Sequence, residues 1–232
     1  MIAALIVGAG RGRRMGTDVP KQLLPLCGKP VMSHTLARFQ AAGCIDSIAL
    51  VVPPGDEETT RADIVRRYGL TKVRWIIAGG ELRQDSVRAG LVALPDECTV
   101  VAIHDAVRPL VEEEMIDACI SAAEDCGAAV TAVRARDTIK ESDGDGAVVR
   151  TLEREPLWTV QTPQCFRLDI IRQAHRLAAE AGFVGTDDAA LVERMGASVR
   201  LVEGSPHNIK ITTPEDLIVA EAILGTDVRG AG

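Results

Sequence analysis

The chain has 232 residues, a net charge of −7, 47% apolar residues and only 3% aromatics. This fits one α/β domain spanning residues 1–232, with a core built from Val, Ile, Leu and Ala. Acidic balance and scarce aromatic stacking platforms argue against a nucleic-acid surface, and no apolar run is long enough to cross a membrane.

Taken in chain order, apolar runs predict strands at 2–7, 47–52, 73–78, 99–103, 128–133 and 198–202. Helices are expected at 30–42, 56–69, 82–94, 112–126, 168–181, 187–195 and 214–224. Continuous runs such as Thr99-Val100-Val101-Ala102-Ile103 suit a mostly parallel sheet covered by helices on both faces. Met32, Leu36 and Phe39 are spaced to share one helix face, which Gly43 then closes. Thr213-Pro214-Glu215-Asp216 supplies an N-cap, a first-turn proline and acids, and turns Leu217, Ala220 and Leu224 toward the core. Residues 136–162 break the rhythm: turn-rich 142–146 lies between β-prone 137–140 and 147–152. This predicts an inserted β-hairpin, read either as a dimerisation arm or as a surface excursion.

The six cysteines are scattered without a C-x-x-C, and the four histidines lack metal-ligand spacing. Idle or buried thiols in a reducing cytoplasm are the expectation, rather than disulfides or zinc. The N-terminal apolar run flows straight into a glycine loop, so it reads as a strand and not a signal peptide.

That loop holds the strongest chemical signal. Gly8, Gly10 and Gly12 let the backbone turn tightly and bring its N–H groups near an anion. Arg11, Arg13, Arg14 and Lys21 add cationic donors, more than a single phosphate needs, so the expected ligand is a nucleoside triphosphate. The glycines run G-x-G-x-G, and the strand at 47–52 ends in Pro53-Pro54-Gly55 without an acid. Neither the dinucleotide fingerprint nor a Walker loop is present. A plain strand-to-helix turn with solvated arginines is the bland alternative.

Other candidates follow later strands. Asp105, in His104-Asp105-Ala106-Val107-Arg108-Pro109, sits where parallel-sheet folds bind ligands and could hold Mg²⁺; an Asp105–Arg108 ion pair is the other reading. Gly79-Gly80 with Ser86 could admit a base, or simply start a helix. Asn208–Thr212 looks strand-like, with Lys210 either at a solvated edge or in the crevice. Thr186-Asp187-Asp188 is better explained as a helix cap than as a substrate contact. Arg154 and Thr162-Pro163-Gln164 flank Trp158, and their spacing alone points to nothing.

Together these stretches resemble the 2-C-methyl-D-erythritol 4-phosphate cytidylyltransferases of the non-mevalonate isoprenoid pathway. The landmarks are Gly10–Met15, Pro20-Lys21-Gln22, Gly79-Gly80, Asp85-Ser86-Val87, His104–Pro109, Asp137–Lys140, Leu157-Trp158, Gln161–Gln164, Thr186–Ala189 and Asn208–Thr212. They cover nearly the whole chain. The resemblance implies a Rossmann-like fold of nucleotidyltransferase type with the hairpin as a β-arm. It also implies Mg²⁺-assisted joining of CTP and methylerythritol phosphate, and a cytoplasmic homodimer formed through the arm. Arg14, Lys21 and Lys210 would then serve catalysis, and Asp105 the metal and substrate. The nucleotide side would draw on Gly8, Ala9, Gly10, Gly12, Gly80, Glu81 and Ser86. Arg108, Thr162 and Thr186 would also contact substrate, while Thr138 and Arg154 on the arm would reach the sugar phosphate in the neighbouring subunit's site. Val7 and Gly8 stand where the family usually has Pro and Ala, and Leu82 replaces a commonly polar residue.

Alternatives are a ribitol-5-phosphate cytidylyltransferase, a nucleotide-sugar glycosyltransferase using Asp143-Gly144-Asp145 as its D-x-D, and a non-catalytic nucleotide-binding module.

Overall fold

A computed structural model describes residues 1–10 and 19–229. Arg11, Gly12, Arg13 and Arg14 therefore lie outside the described residues. The first strand, β1 (Ile2–Val7), is followed by a short 3₁₀ turn at Lys21–Leu23 and a small antiparallel pair, β2 (Pro25–Leu26) and β3 (Lys29–Pro30). Then come α1 (Val31–Ala41), β4 (Ser47–Val52), α2 (Glu57–Thr60), β5 (Val73–Ala78), α3 (Arg83–Ala93) and β6 (Val100–Asp105). The second half holds α4 (Glu113–Cys126), β7 (Ala128–Arg134), β8 (Lys140–Ser142), β9 (Val148–Thr151) and β10 (Trp158–Arg167). It ends with α5 (Leu168–Glu180), α6 (Asp188–Arg194), β11 (Arg200–Glu203) and α7 (Pro214–Arg229).

Seven strands form one sheet in the order β11-β7-β10-β6-β1-β4-β5. Only β10 runs antiparallel to its neighbours; the other pairings are parallel. Strands β4 and β6 are buried along their whole length, so both faces need apolar side chains, and the sequence supplies continuous apolar runs. One face packs Met32, Leu36 and Phe39 of α1 with Ile116 and Ile120 of α4. The other packs Val87 and Leu91 of α3 with Ile171 and Ala174 of α5. Burying each large apolar side chain contributes about 1.5–3 kcal/mol. Gly127 ends α4 with φ at 91°, a left-handed conformation that side chains disfavour. A third cluster joins Leu26, Val31, Val107 and Ile211 to Leu217, Ala220 and Leu224 of α7, as the spacing of that helix predicts.

Three readings need correction. The helix expected over 56–69 is α-helical only at Glu57–Thr60 and continues as a π-helical turn, Arg61–Arg66. The inserted hairpin is β8–β9, and it ends sooner than expected: residues from Trp158 onward belong to β10, inside the main sheet. Thr162-Pro163, whose spacing pointed to nothing, lies where β10 slips register against β7, between Val160 and Gln164. Finally, Asn208–Thr212 is not a strand but a loop pinned by side chains.

Candidate active site

Strand order places the crevice. The chain crosses from β5 back to β6, on the far side of β1, so the direction of winding reverses at the paired carboxyl ends of β1 and β6, where sheets of this kind bind ligands. Gly8, just past β1, donates its N–H to Val51 O (2.8 Å), and its carbonyl accepts from Gln22 Nε2 (2.7 Å). Both backbone groups of Gly8 are thus engaged inside the protein, and Gly8, Ala9 and Gly10 together line the crevice. A Cβ on Gly8 would sit 3.1 Å from Met32 Cε and 3.3 Å from Val51 O, so this residue also allows close packing. Across the gap, a Cβ on Gly79 would overlap Ala9 Cβ and Ser86 Oγ. Ser86 is buried; its hydroxyl accepts from Gly80 N–H and donates to Leu82 O, each at 3.1 Å. It holds the shape of the loop, and lines the crevice together with Gly80, Glu81 and Leu82.

Asp105 closes β6 and is the centre of charge. It is 6% exposed. Its Oδ1 accepts from Arg83 Nε at 3.1 Å and its Oδ2 from Lys210 Nζ at 2.6 Å. Arg108 Nε stands farther off, at 3.9 Å, so the expected Asp105–Arg108 pair is the weakest of the three. Burial alone would raise the Asp105 pKa, but Arg83, Lys210 and Arg108 outweigh it and hold the carboxyl well below the usual range. Arg83 in turn is opposed by burial but kept firmly charged by Asp188 and Asp105.

The Asp105 backbone is fixed by an ordered chain. Its N–H donates to Thr162 Oγ1 at 3.2 Å, and Thr162 Oγ1 lies 3.0 Å from His104 Nδ1. The other ring nitrogen of His104 lies 3.1 Å from Arg108 O, a carbonyl that can only accept. The proton therefore sits on Nε2, and Thr162 donates to Nδ1. Burial lowers the His104 pKa to about 4, so the ring is neutral at neutral pH.

Lys210 owes its position to the loop beside it. Arg108 Nη1 donates to Asn208 O (2.6 Å), and buried Asn208 donates to Thr162 O (2.8 Å) and Gln161 Oε1 (3.2 Å). Ile211 N–H bonds Val107 O at 2.9 Å and its side chain is fully buried, which anchors the residue after the lysine.

The crevice continues past Asp105 and Lys210 as a trough. Thr162, Thr186 and Asp187 line its middle, and Arg134, Arg136 and Ile139 its far end at the foot of the arm. Basic side chains outnumber acidic ones along it, although the whole chain is acidic. Such a local field concentrates anions. Lys21 lies at the glycine-loop end. Thr138 and Arg154 stand exposed on the arm, outside this lining, and Arg154 Nη1 donates to Arg136 O. Asp187 caps α6 by accepting from Ala190 N–H, as expected. Asp143-Gly144-Asp145 occupies the exposed β8–β9 turn, where Asp143 Oδ1 accepts from Asp145 and Ala147 N–H; it lines no part of the trough.

Sequence reasoning gave no site role to Arg83, Gln22 or Asn208, and weighed Asp188 only within the Thr186-Asp187-Asp188 cap. For Arg83 a signal exists: a cation in the first helical turn after a strand-ending glycine pair. The others act through buried hydrogen bonds that no local pattern announces. Among the described residues, no group of three or more His, Cys, Asp or Glu side chains could hold a metal ion unaided, and no helix could cross a membrane.

Residues 2–226 match the family model "IspD: 2-C-methyl-D-erythritol 4-phosphate cytidylyltransferase". The chain is 51% identical over 223 residues to the 2-C-methyl-D-erythritol 4-phosphate cytidylyltransferase of Pelotomaculum thermopropionicum, covering 96% of this chain and 94% of that one. The crystal structure of 4-diphosphocytidyl-2C-methyl-D-erythritol synthase from Anaerococcus prevotii superposes with a TM-score of 0.86 at 34% identity, over 97% of this chain and 96% of that one. The 2-C-methyl-D-erythritol 4-phosphate cytidylyltransferase structure from Thermus thermophilus gives 0.78, also at 34% identity, over 95% and 97%. With a buried carboxylate flanked by cations and a mostly parallel sheet, the chain belongs to the 2-C-methyl-D-erythritol 4-phosphate cytidylyltransferase family.

Proposed function

We propose that this chain transfers the cytidylyl group of CTP to 2-C-methyl-D-erythritol 4-phosphate, releasing pyrophosphate and giving 4-diphosphocytidyl-2-C-methyl-D-erythritol. The observation that carries the reading is Asp105, buried between Arg83 and Lys210 where the glycine-loop crevice joins the arm-side trough. Cytidine fits the crevice end, against Ala9, Gly10, Gly80, Glu81 and Ser86. The triphosphate lies toward Lys21, and the family resemblance assigns Arg14 and Gly12 to it as well. The acceptor lies on the other side of Lys210, near Arg108, Thr162 and Thr186.

The chemistry needs no nucleophilic side chain. A phosphate oxygen of the acceptor attacks the α-phosphorus; that P–O bond forms as the α–β phosphoanhydride bond breaks, and the electron pair leaves with pyrophosphate. Positioning and charge neutralisation carry the rate. Arg14, Lys21 and Lys210 supply the positive charge, and losing one such donor costs about 3–4 kcal/mol by analogy with an oxyanion-hole group.

Mg²⁺ fits this donor set. Asp105 is ionised, and each of its oxygens, though engaged by one cation, keeps a further lone pair. One carboxylate plus phosphate oxygens and water is a usual arrangement for this ion. When bound, it would neutralise phosphate charge. The exposed arm, with Val148 61% and Val149 59% exposed, suits a homodimer in which Thr138 and Arg154 reach the acceptor in a second copy's site. A cytoplasmic location accords with the free cysteines.

The test is pyrophosphate release from CTP and Mg²⁺ with methylerythritol phosphate or ribitol 5-phosphate as acceptor. Strong preference for methylerythritol phosphate is expected, since the family match favours it over the ribitol alternative. Equal or greater rates with ribitol phosphate would overturn the acceptor assignment, and no release with either would overturn the reaction.

A further inference from the structure

Behind the trough lies a second buried carboxylate that the reaction does not touch. Asp188, in the first turn of α6, is 1% exposed. Its Oδ2 accepts from Arg83 Nη1 at 2.7 Å, and its Oδ1 lies 3.3 Å from His175 Nε2. His175, on α5, is 2% exposed, and its Nδ1 has no hydrogen-bond partner among the described residues. Bonding to a carboxylate requires the proton on Nε2, so His175 donates to Asp188. Arg83 is thereby gripped from both sides. Its Nε serves Asp105 at the trough and its Nη1 serves Asp188 behind it.

This arrangement makes a directional series, His175–Asp188–Arg83–Asp105–Lys210, running from α5 to the reacting end of the trough. Burial opposes the charge on Asp188, yet Arg83 and His175 hold its pKa below the usual range, so it stays ionised. A guanidinium is planar and rigid; fixing one edge fixes the other. Without Asp188, Arg83 would direct its whole charge at Asp105 and draw the carboxylate away from Lys210.

We propose that Asp188, backed by His175, is a positioning residue for the reaction: it orients Arg83 so that Asp105 and Lys210 keep their places at the reacting phosphates. The inference rests on the roles given above to Asp105 and Lys210. It differs from a purely structural role in one respect. A stabilising pair would change the fraction of folded protein, whereas a positioning residue changes kcat of the folded enzyme and acts through Asp105.

The experiment is a double-mutant cycle on the full chain, Asp188→Asn and Asp105→Asn singly and together, reading kcat and KM for each substrate alongside Tm. Asp188→Asn should lower kcat about 10- to 100-fold while moving KM for CTP little, as sub-ångström misplacement does. The double variant should be no slower than Asp105→Asn alone, because the two act in series. His175→Gln, which keeps a donor, should retain several-fold more kcat than His175→Leu; this pair carries the test if Asp188→Asn does not fold. Wild-type kcat in Asp188→Asn, losses that multiply in the double variant, or equal kcat in the two His175 variants would overturn the proposal alone. Full activity in Asp105→Asn would overturn it together with the reading of Asp105.

Discussion

Arg83 and Arg150 each hold a carboxylate, in opposite surroundings. Arg83 lies in the crevice between Asp105 and Asp188, which are 8% and 1% exposed at their side chains. Arg150 pairs with Glu141 across the β8–β9 arm, where the two side chains are 67% and 46% exposed. The pairs use the same groups at similar separations. Water and salt screen the arm pair, and its long side chains lose rotamer freedom to form it. Around Arg83 both carboxylates have left water, so each is stable only while its partners remain. Geometry alone therefore does not tell which ion pair matters; burial and the number of partners do.

The largest effect should fall on turnover. Lys21→Ala, Lys210→Ala or Arg14→Ala should each lower kcat by about 10²–10³-fold, with the fold intact by circular dichroism. Near-normal turnover in any of them would remove that residue from the mechanism. Next comes Arg83→Ala, which leaves buried Asp188 with His175 alone and removes one of the cations on Asp105, and should cost about 3 kcal/mol in urea unfolding besides lost activity. A cost under about 1 kcal/mol would make the crevice pair equivalent to the arm pair and break the comparison.

Acid sharpens it further. The folded pKa of His104 is about 4, against 6.5 for the free side chain. The unfolded chain therefore takes up the proton first as pH falls. Stability from this residue is complete above pH 6.5 and is lost on descending toward 4, by on the order of 3 kcal/mol. Asp105 and Asp188, with lowered folded pKa values, contribute above the unfolded carboxylate range and lose that contribution only at still lower pH. His104→Gln should flatten the stability profile between pH 6.5 and 4 and leave the lower limb unchanged; an unaltered slope would exclude His104 as its source. The smallest effect belongs to the arm. Glu141→Ala should change unfolding free energy by less than about 1 kcal/mol, and 0.5 M salt should erase the difference.

The contrast also explains what could be read in advance. Strand and helix positions were legible because apolar periodicity is local: Met32, Leu36 and Phe39 declare one helix face, and 100–103 a doubly covered strand. Asp105 and Gly80 could be placed at the crevice because strand ends and glycine pairs have a fixed place in a parallel sheet, whereas Lys210, expected on a strand, was tied to the site by the family resemblance. Strand β10 was not legible, because its first residues were read into the hairpin insertion and its antiparallel pairing depends on β6 and β7, more than 20 residues away. Arg83 and Asp188 lie 105 positions apart, and only folding makes them a pair. The roles of Arg14 and Gly12 rest on sequence resemblance, since both lie outside the described residues.

Strand β10 has a mechanical consequence. It begins at Trp158, whose ring lies 4.5 Å under Arg134 at the foot of the arm, and four residues later Thr162 grips the Asp105 backbone. Those four steps are a ruler of about 13 Å made of peptide bonds. In the proposed arm-joined dimer, a displacement of one arm would reach the home site along that stretch, through the register slip that begins after Val160. The two sites of such a dimer would be tuned as one instrument: shifting an arm to suit the partner's acceptor also retunes the site from which the arm grows.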